Sequence, residues 1–176
     1  FEKENLLVLD FGGYFGSLFF QNYSILNQIE NLSWTIVEQP HFVKAGKKHL
    51  EDERLRFTDT INEFDSKNKL NLLVFSSVLQ YLPDPYKVLE DSIKLKPDVI
   101  LIDRTSFLKN STQEHLRIQN NPTYICKSSY PCWFLLREKL EKKITSSGYE
   151  LFSRHNSEEN LSYKYEWGGA IFTRLS

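Results

Sequence analysis

The chain opens with Leu6-Leu7-Val8-Leu9, an apolar run without polar alternation, which predicts a strand buried on both faces as in a parallel sheet. Asp10-Phe11-Gly12-Gly13-Tyr14-Phe15-Gly16 follows, an acid and three glycines where the backbone can turn sharply and approach a ligand closely. Ser17 is the expected N-cap of a helix over Ser17–Ile29. Ser33–Glu38 then reads as an aromatic and β-branched strand ending in an acid, and Pro40 opens a helix to about Leu50. Leu55–Thr58 predicts a short strand closing on Asp59, with a turn or short helix through Phe64. Leu70–Ser77 is a further apolar strand. Asp84-Pro85 starts a helix in which Val88, Leu89 and Ile93 recur at helical spacing, and Val99–Arg104 is another buried strand.

The alternation stops at Thr105–Pro131, a stretch too long for a simple connection and expected to form an irregular insertion on the substrate side. Trp133–Ser147 predicts a helix with Trp133, Leu136, Leu140 and Ile144 on one face and Gly148 as its stop. Tyr149–Arg154 and Gly169–Leu175 close the chain as an antiparallel pair. Strands alternating with helices, then a strand pair, predict one α/β domain over residues 1–176. Its architecture is a Rossmann-like doubly wound sheet, mostly parallel with an antiparallel C-terminal strand. In such sheets ligands bind beyond the carboxyl ends of the strands, at the topological switch point. That rule selects Asp10–Gly16, Glu38 with Gln39, Asp59, Ser76 with Ser77, and Asp103 with Arg104.

Composition narrows the function classes. Net charge is −1 with acids and bases interspersed, which argues against a dedicated nucleic-acid binder, since that would show a clustered basic face. The most basic stretch, from Arg137 to Lys143, is interrupted by Glu138 and Glu141 and reads as a solvated helix face. No window approaches the roughly 18 apolar residues of a membrane span, and no signal-peptide pattern is present, so a cytoplasmic location is expected. Cys126 and Cys132 match no zinc or redox spacing and read as reduced structural thiols, and no metal-ligand cluster stands out. The chain has no Met, not even at position 1, so an N-terminal segment beyond this sequence is expected.

Three nucleotide loops compete for the glycine turn. A Walker loop is excluded because no Gly-Lys-Ser/Thr follows the glycines. A dinucleotide G-x-G-x-x-G placed on Gly13 and Gly16 puts Phe11 where a tight-turn glycine is wanted, which leaves an NAD-dependent oxidoreductase as a poorer alternative. The third loop belongs to class I S-adenosylmethionine-dependent methyltransferases, an acid followed by glycines at alternate positions. Asp10, Gly12 and Gly16 resemble it, with Tyr14 at the middle glycine position and Gly13 beside it. Glu38 stands where that family's second-strand acid binds the ribose, and Asp59 where an adenine-contacting acid often sits. Ser76–Pro85 is similar to the segment after the family's fourth strand, with Gln80 in a histidine-like slot. The match is closer still to a bacterial group, assigned as methyltransferases, that shares an acid-Phe-Gly-Gly loop. Val37-Glu38-Gln39-Pro40, Val78–Pro83 and Arg104-Thr105 all fit that group.

The resemblance implies strand order 3-2-1-4-5-7-6 and S-adenosyl-L-methionine as cofactor. It implies cofactor contacts from Asp10, Gly12, Gly13, Gly16, Glu38, Gln39, Asp59, Ser76 and Ser77. Arg104, at the ligand edge, and His115, a group able to act as base near neutral pH, are the catalytic candidates. No Asn/Asp-Pro-Pro-Tyr-type signature for amino acceptors occurs, so a small or saccharide-like acceptor methylated on oxygen is expected. Tyr14 motivates one other reading, a non-catalytic binding protein of the same fold.

Overall fold

The computed structural model describes residues 5–64, 69–121, 127–156 and 164–175; Cys126 and the segment around it lie outside these. The first half alternates β1 (Asn5–Phe11), α1 (Ser17–Gln21), α2 (Tyr23–Leu26), β2 (Asn31–Val37), α3 (Pro40–His49) and β3 (Leu55–Thr58). It continues with a 3-10 turn at Ile61–Glu63, β4 (Leu72–Ser76), a second 3-10 turn at Leu79–Tyr81 and α4 (Pro85–Ile93). The second half holds β5 (Val99–Leu108), β6 (His115–Asn120), β7 (Ser129–Phe134), α5 (Arg137–Thr145), β8 (Tyr149–Asn156) and β9 (Tyr165–Arg174).

The main sheet has seven strands in the order β3-β2-β1-β4-β5-β9-β8. The first five are parallel, and β9 is antiparallel to both β5 and β8. This is the expected order; the last two strands carry higher numbers because β6 and β7 form a separate hairpin. The continuous apolar runs explain the layering, since neighbours on a strand point to opposite faces and both faces are covered. Val8 packs with Phe19, Trp34, Ile36, Val43 and Phe57 under α1 and α3, while Leu9 packs with Phe75, Leu89, Leu140 and Ile144 under α4 and α5. Asp84 caps α4 by accepting a bond from the Lys87 N–H at 2.9 Å, with Pro85 at the first helical position.

Five local expectations are corrected. The helix over Ser17–Ile29 is two short helices separated at Asn22, whose side chain bonds the Leu18 carbonyl at 2.9 Å and competes with continuation. Ser17 is not the N-cap; Gly16 is, in left-handed conformation at φ 85° with no side-chain cap. β5 runs four residues past Arg104, across a bulge between Ile102 and Thr105. The insertion at 105–131 is therefore not irregular throughout: it holds the rest of β5, all of β6 and the start of β7. Trp133 lies in β7 rather than in a helix, which begins only at Arg137, because Ser106 bonds the Trp133 carbonyl at 2.6 Å and holds that segment extended against β5. Cys132 is buried and free. Among the described residues no helix is long and apolar enough to cross a membrane.

Candidate functional site

The carboxyl ends of β1, β2, β4 and β5 lie side by side, and the polar residues selected from the sequence gather there in two groups. The first is the glycine turn. The Gly12 N–H donates to the Val37 carbonyl at 2.9 Å, which ties the start of the turn to the end of β2. Gly12 has φ 73°, and a Cβ there would sit 2.3 Å from Val78 Cγ2, so both handedness and space require glycine. Gly13 admits no side chain for another reason. Asp10 lies directly beneath it, and a Cβ would meet Asp10 Oδ2 at 2.5 Å.

Asp10 is 1 % exposed, and its carboxyl lies beneath the loop rather than at the loop surface. Trp34 Nε1 donates to Oδ2 at 3.2 Å, while Oδ1 has no partner among the described residues. Burial pushes the Asp10 carboxyl up to about 7; the Trp34 bond opposes this and the nearby Glu38 charge adds to it. Tyr14 adopts φ 54°, the left-handed conformation a glycine would take at the middle position. Its ring does not cross the turn; it lies 4.9 Å from the Phe42 ring and 4.4 Å from Phe15.

Glu38 stands at the end of β2, partly exposed. Its Oε1 accepts from the Tyr14 N–H at 3.3 Å and Oε2 from the Gln39 N–H at 2.8 Å. Both oxygens are thereby oriented, and an ionised carboxylate with about four acceptor sites keeps capacity for two further donors. Gln39 caps α3 in extended conformation without a side-chain bond, and Asp59 is exposed just past β3. α1 is only five residues long, so helix-dipole attraction to a ligand is smaller here than from the longer helix expected.

The second group sits at the ends of β4 and β5. Ser76 donates to Asp103 Oδ2 at 3.0 Å, and Arg104 Nη2 donates to Ser76 Oγ at 3.1 Å. Arg104 Nε lies 3.2 Å from the same Asp103 oxygen. Ser77 and Arg104 are both left-handed, at φ 55° and 45°, and the Ser77 N–H bonds the Asp103 carbonyl at 2.9 Å. Gln80, fully buried, donates to the Arg104 carbonyl at 3.0 Å and so fastens the segment after β4 to the bulge in β5. On the other side of Asp103, Oδ1 lies 3.0 Å from His155 Nε2 on β8. Partial burial alone raises the Asp103 carboxyl, but bonds from His155 and Ser76 and the Arg104 charge outweigh it, and the net shift is downward.

His115 is not part of either group. It lies on β6 opposite Phe134, with the Arg117 guanidinium 3.5 Å from its Nδ1. His155 carries no local signature in the sequence, being one polar position on a strand of alternating exposure. Only the Gly168-Gly169 pair, unusual in a strand interior, hints that something approaches there. A depression of about 540 Å³ lined by Ile61, Phe64, Asp91 and Lys94 lies toward the opposite, amino edge, and Asp91 and Lys94 pair with each other.

No family model matches the sequence, and no curated protein matches it. Solved structures do, 261 chains in all. They include LepI in complex with SAM, at TM-score 0.63 and 14% identity, covering 99% of this chain and 44% of that one. The N-terminal domain of EvdMO1 in the presence of SAH and D-fucose matches at TM-score 0.60 and 14% identity, covering 97% of this chain and 76% of that one. A SAM-dependent methyltransferase from Methanosarcina mazei matches at 0.63 and 13%, covering 98% and 93%. The chain thus spans under half the length of LepI. At these identities the likeness is one of fold, and the fold is class I methyltransferase-like.

Proposed function

We propose that the chain is a cytoplasmic S-adenosylmethionine-dependent methyltransferase acting on a small-molecule or saccharide-like acceptor at oxygen. The observation that carries this reading is the glycine turn set against the oriented Glu38 carboxylate at the ends of β1 and β2. The residues present fit an adenosyl ligand. Glu38 has acceptor capacity for two vicinal hydroxyls, and Asp10 Oδ1, buried under the turn, has no partner among the described residues. The complexes of LepI with SAM and of EvdMO1 with SAH and D-fucose support the cofactor and acceptor classes. The Val37–Pro40, Val78–Pro83 and Arg104-Thr105 matches support kinship with the bacterial Asp-Phe-Gly-Gly group.

S-adenosylmethionine, when bound, supplies an electrophilic methyl group on sulfonium. The protein's own part is binding and orientation. Glu38 would accept hydrogen bonds from the ribose hydroxyls, with Gln39 and Asp59 at the adenine side. The backbone of Gly12, Gly13 and Gly16 would seat the methionine portion, and Asp10, buried beneath the turn rather than at its surface, would support that backbone from below instead of meeting the ammonium as the sequence suggests. Ser76 and Ser77 would complete the cofactor contacts at the end of β4, and Arg104 at the end of β5 would face the acceptor.

Thermal melts with S-adenosylhomocysteine, S-adenosylmethionine and NAD test the reading. A ligand at a hundred times its Kd stabilises by about 2.7 kcal/mol, and the first two are expected to raise Tm while NAD does not. No shift with either adenosyl ligand would sink the proposal, and a shift with NAD instead would favour the oxidoreductase. Glu38→Ala is expected to weaken S-adenosylhomocysteine binding tenfold to a hundredfold, since a hydrogen bond to a charged group contributes about 1.5–3 kcal/mol.

A further inference from the structure

Cofactor binding makes no use of the contact between Asp103 and His155. They belong to β5 and β8, two strands apart, which separates their backbones by about 9–10 Å. Side chains at that distance meet only if nothing stands between them, and the intervening residue on β9 is Gly169. It pairs with His155 and falls opposite the Asp103–Arg104 bulge. A Cβ on Gly169 would lie 2.8 Å from His155 Cε1 and 1.9 Å from the Ile102 carbonyl oxygen. The bulge in β5 re-aims Asp103 along the sheet, as bulges beside functional sites do. Asp103 Oδ1 then meets His155 Nε2 at 3.0 Å while Oδ2 accepts from Ser76.

An imidazole bonded through Nε2 to a carboxylate carries its proton there, which leaves Nδ1 as the acceptor. No described residue bonds Nδ1, and the side chain is 39% exposed. Among the described residues, the charged groups bonded at or beside the pair are Arg104, on Asp103 Oδ2, and Arg137 from α5, which bonds Asn156 and the Gly169 carbonyl and pairs with Glu166; β4 presents the neutral Ser76.

We propose that Asp103 and His155 form a carboxylate–imidazole pair in which His155 Nδ1 takes the proton from the hydroxyl of the methyl acceptor. This rests on the methyl-transfer reading above. As the acceptor oxygen bonds the methyl carbon, the carbon–sulfur bond breaks with its electron pair going to sulfur, and the hydroxyl proton passes to Nδ1. The imidazolium that results is balanced by Asp103 and returns its proton to water after product leaves. His155 is the base, and Asp103 is a positioning residue that holds its tautomer.

Two measurements on the full chain test this. Long-range 1H–15N NMR of the histidine side chains is expected to show His155 as the Nε2–H tautomer, with the preference lost in Asp103→Asn. An Nδ1–H tautomer in the wild type would overturn the proposal. Transfer to a panel of sugars, phenols and amines is followed by S-adenosylhomocysteine release. In His155→Gln and His155→Asn, kcat is expected to fall about a hundredfold to ten-thousandfold. KM and S-adenosylhomocysteine affinity stay unchanged, which also shows that the variants fold. Intact binding with unchanged kcat removes this role alone, whereas no binding by the wild type removes the methyl-transfer reading and this role with it. If the wild type turns over none of the panel, the tautomer decides.

Discussion

Asp10 ties the pH dependence of stability to the geometry of the glycine turn. Its carboxyl rises from 3.8 to about 7 on folding, because burial beneath Gly13 removes it from water and outweighs the opposing Trp34 bond. An acid that ionises less readily when folded binds more protons in the native than in the unfolded state between those two values. Stability therefore falls as pH rises from about 4 to about 7 and levels off above, by at most about 4 kcal/mol. Urea unfolding at pH 5 and pH 8 should show this loss in the wild type and a smaller one in Asp10→Asn; equal losses would mean that other groups cause it. Tyr14 is the other informative residue at this scale. A left-handed tyrosine costs about 1–2 kcal/mol, here offset by its N–H bond to Glu38 and its ring contacts with Phe15 and Phe42. Glycine is thus dispensable at the middle position of this turn, while Gly12 and Gly13 are held by close neighbours that no spacing rule displays.

Among the elements, α3 depends on one small residue. Gly46 faces β3, and a Cβ there would meet three atoms of the Phe57 ring at 2.5 to 2.7 Å; Phe57 is 2% exposed and has no room to retreat. Gly46→Ala gains about 1 kcal/mol of helix propensity but overpacks a filled core, at a cost of about 1–3 kcal/mol. A lowered Tm is expected; a raised one would show that the ring moves aside. The elements also separate what periodicity can and cannot reveal. β1, β3, α3 and α4 were legible because each has one dominant signal, an apolar run or a Pro-led amphipathic stretch. The helix expected from Trp133 was not, because Trp133, Leu136, Leu140 and Ile144 keep helical spacing by coincidence across a strand end and a helix. Ser106, far away in the chain, decides that boundary through its bond to the Trp133 carbonyl.

In the molecule as a whole, the parallel core and the β6–β7 hairpin differ in how they are held. β1 and β4 have a strand on each side and a helix layer on each face, whereas β6 pairs with β7 alone and is mostly exposed. Native-state hydrogen exchange should therefore be slowest at Val8–Asp10 and Leu73–Phe75 and far faster at Leu116–Gln119. Uniform protection would show that the hairpin opens only with the sheet.

The apolar runs, their spacing and the acids and glycines at their ends determined by themselves the fold class and the edge of the sheet at which the candidate residues gather. Those features are local, and a parallel sheet brings all its carboxyl ends to one edge by topology alone. The tertiary structure decided which polar residues meet across that edge. The burial of Asp10, the orientation of Glu38 by Tyr14 and Gln39, and the Asp103–His155 contact over Gly169 each join residues distant in the chain. A contact across an intervening strand depends on register, a bulge and a missing side chain at once, and no period in the sequence records that coincidence.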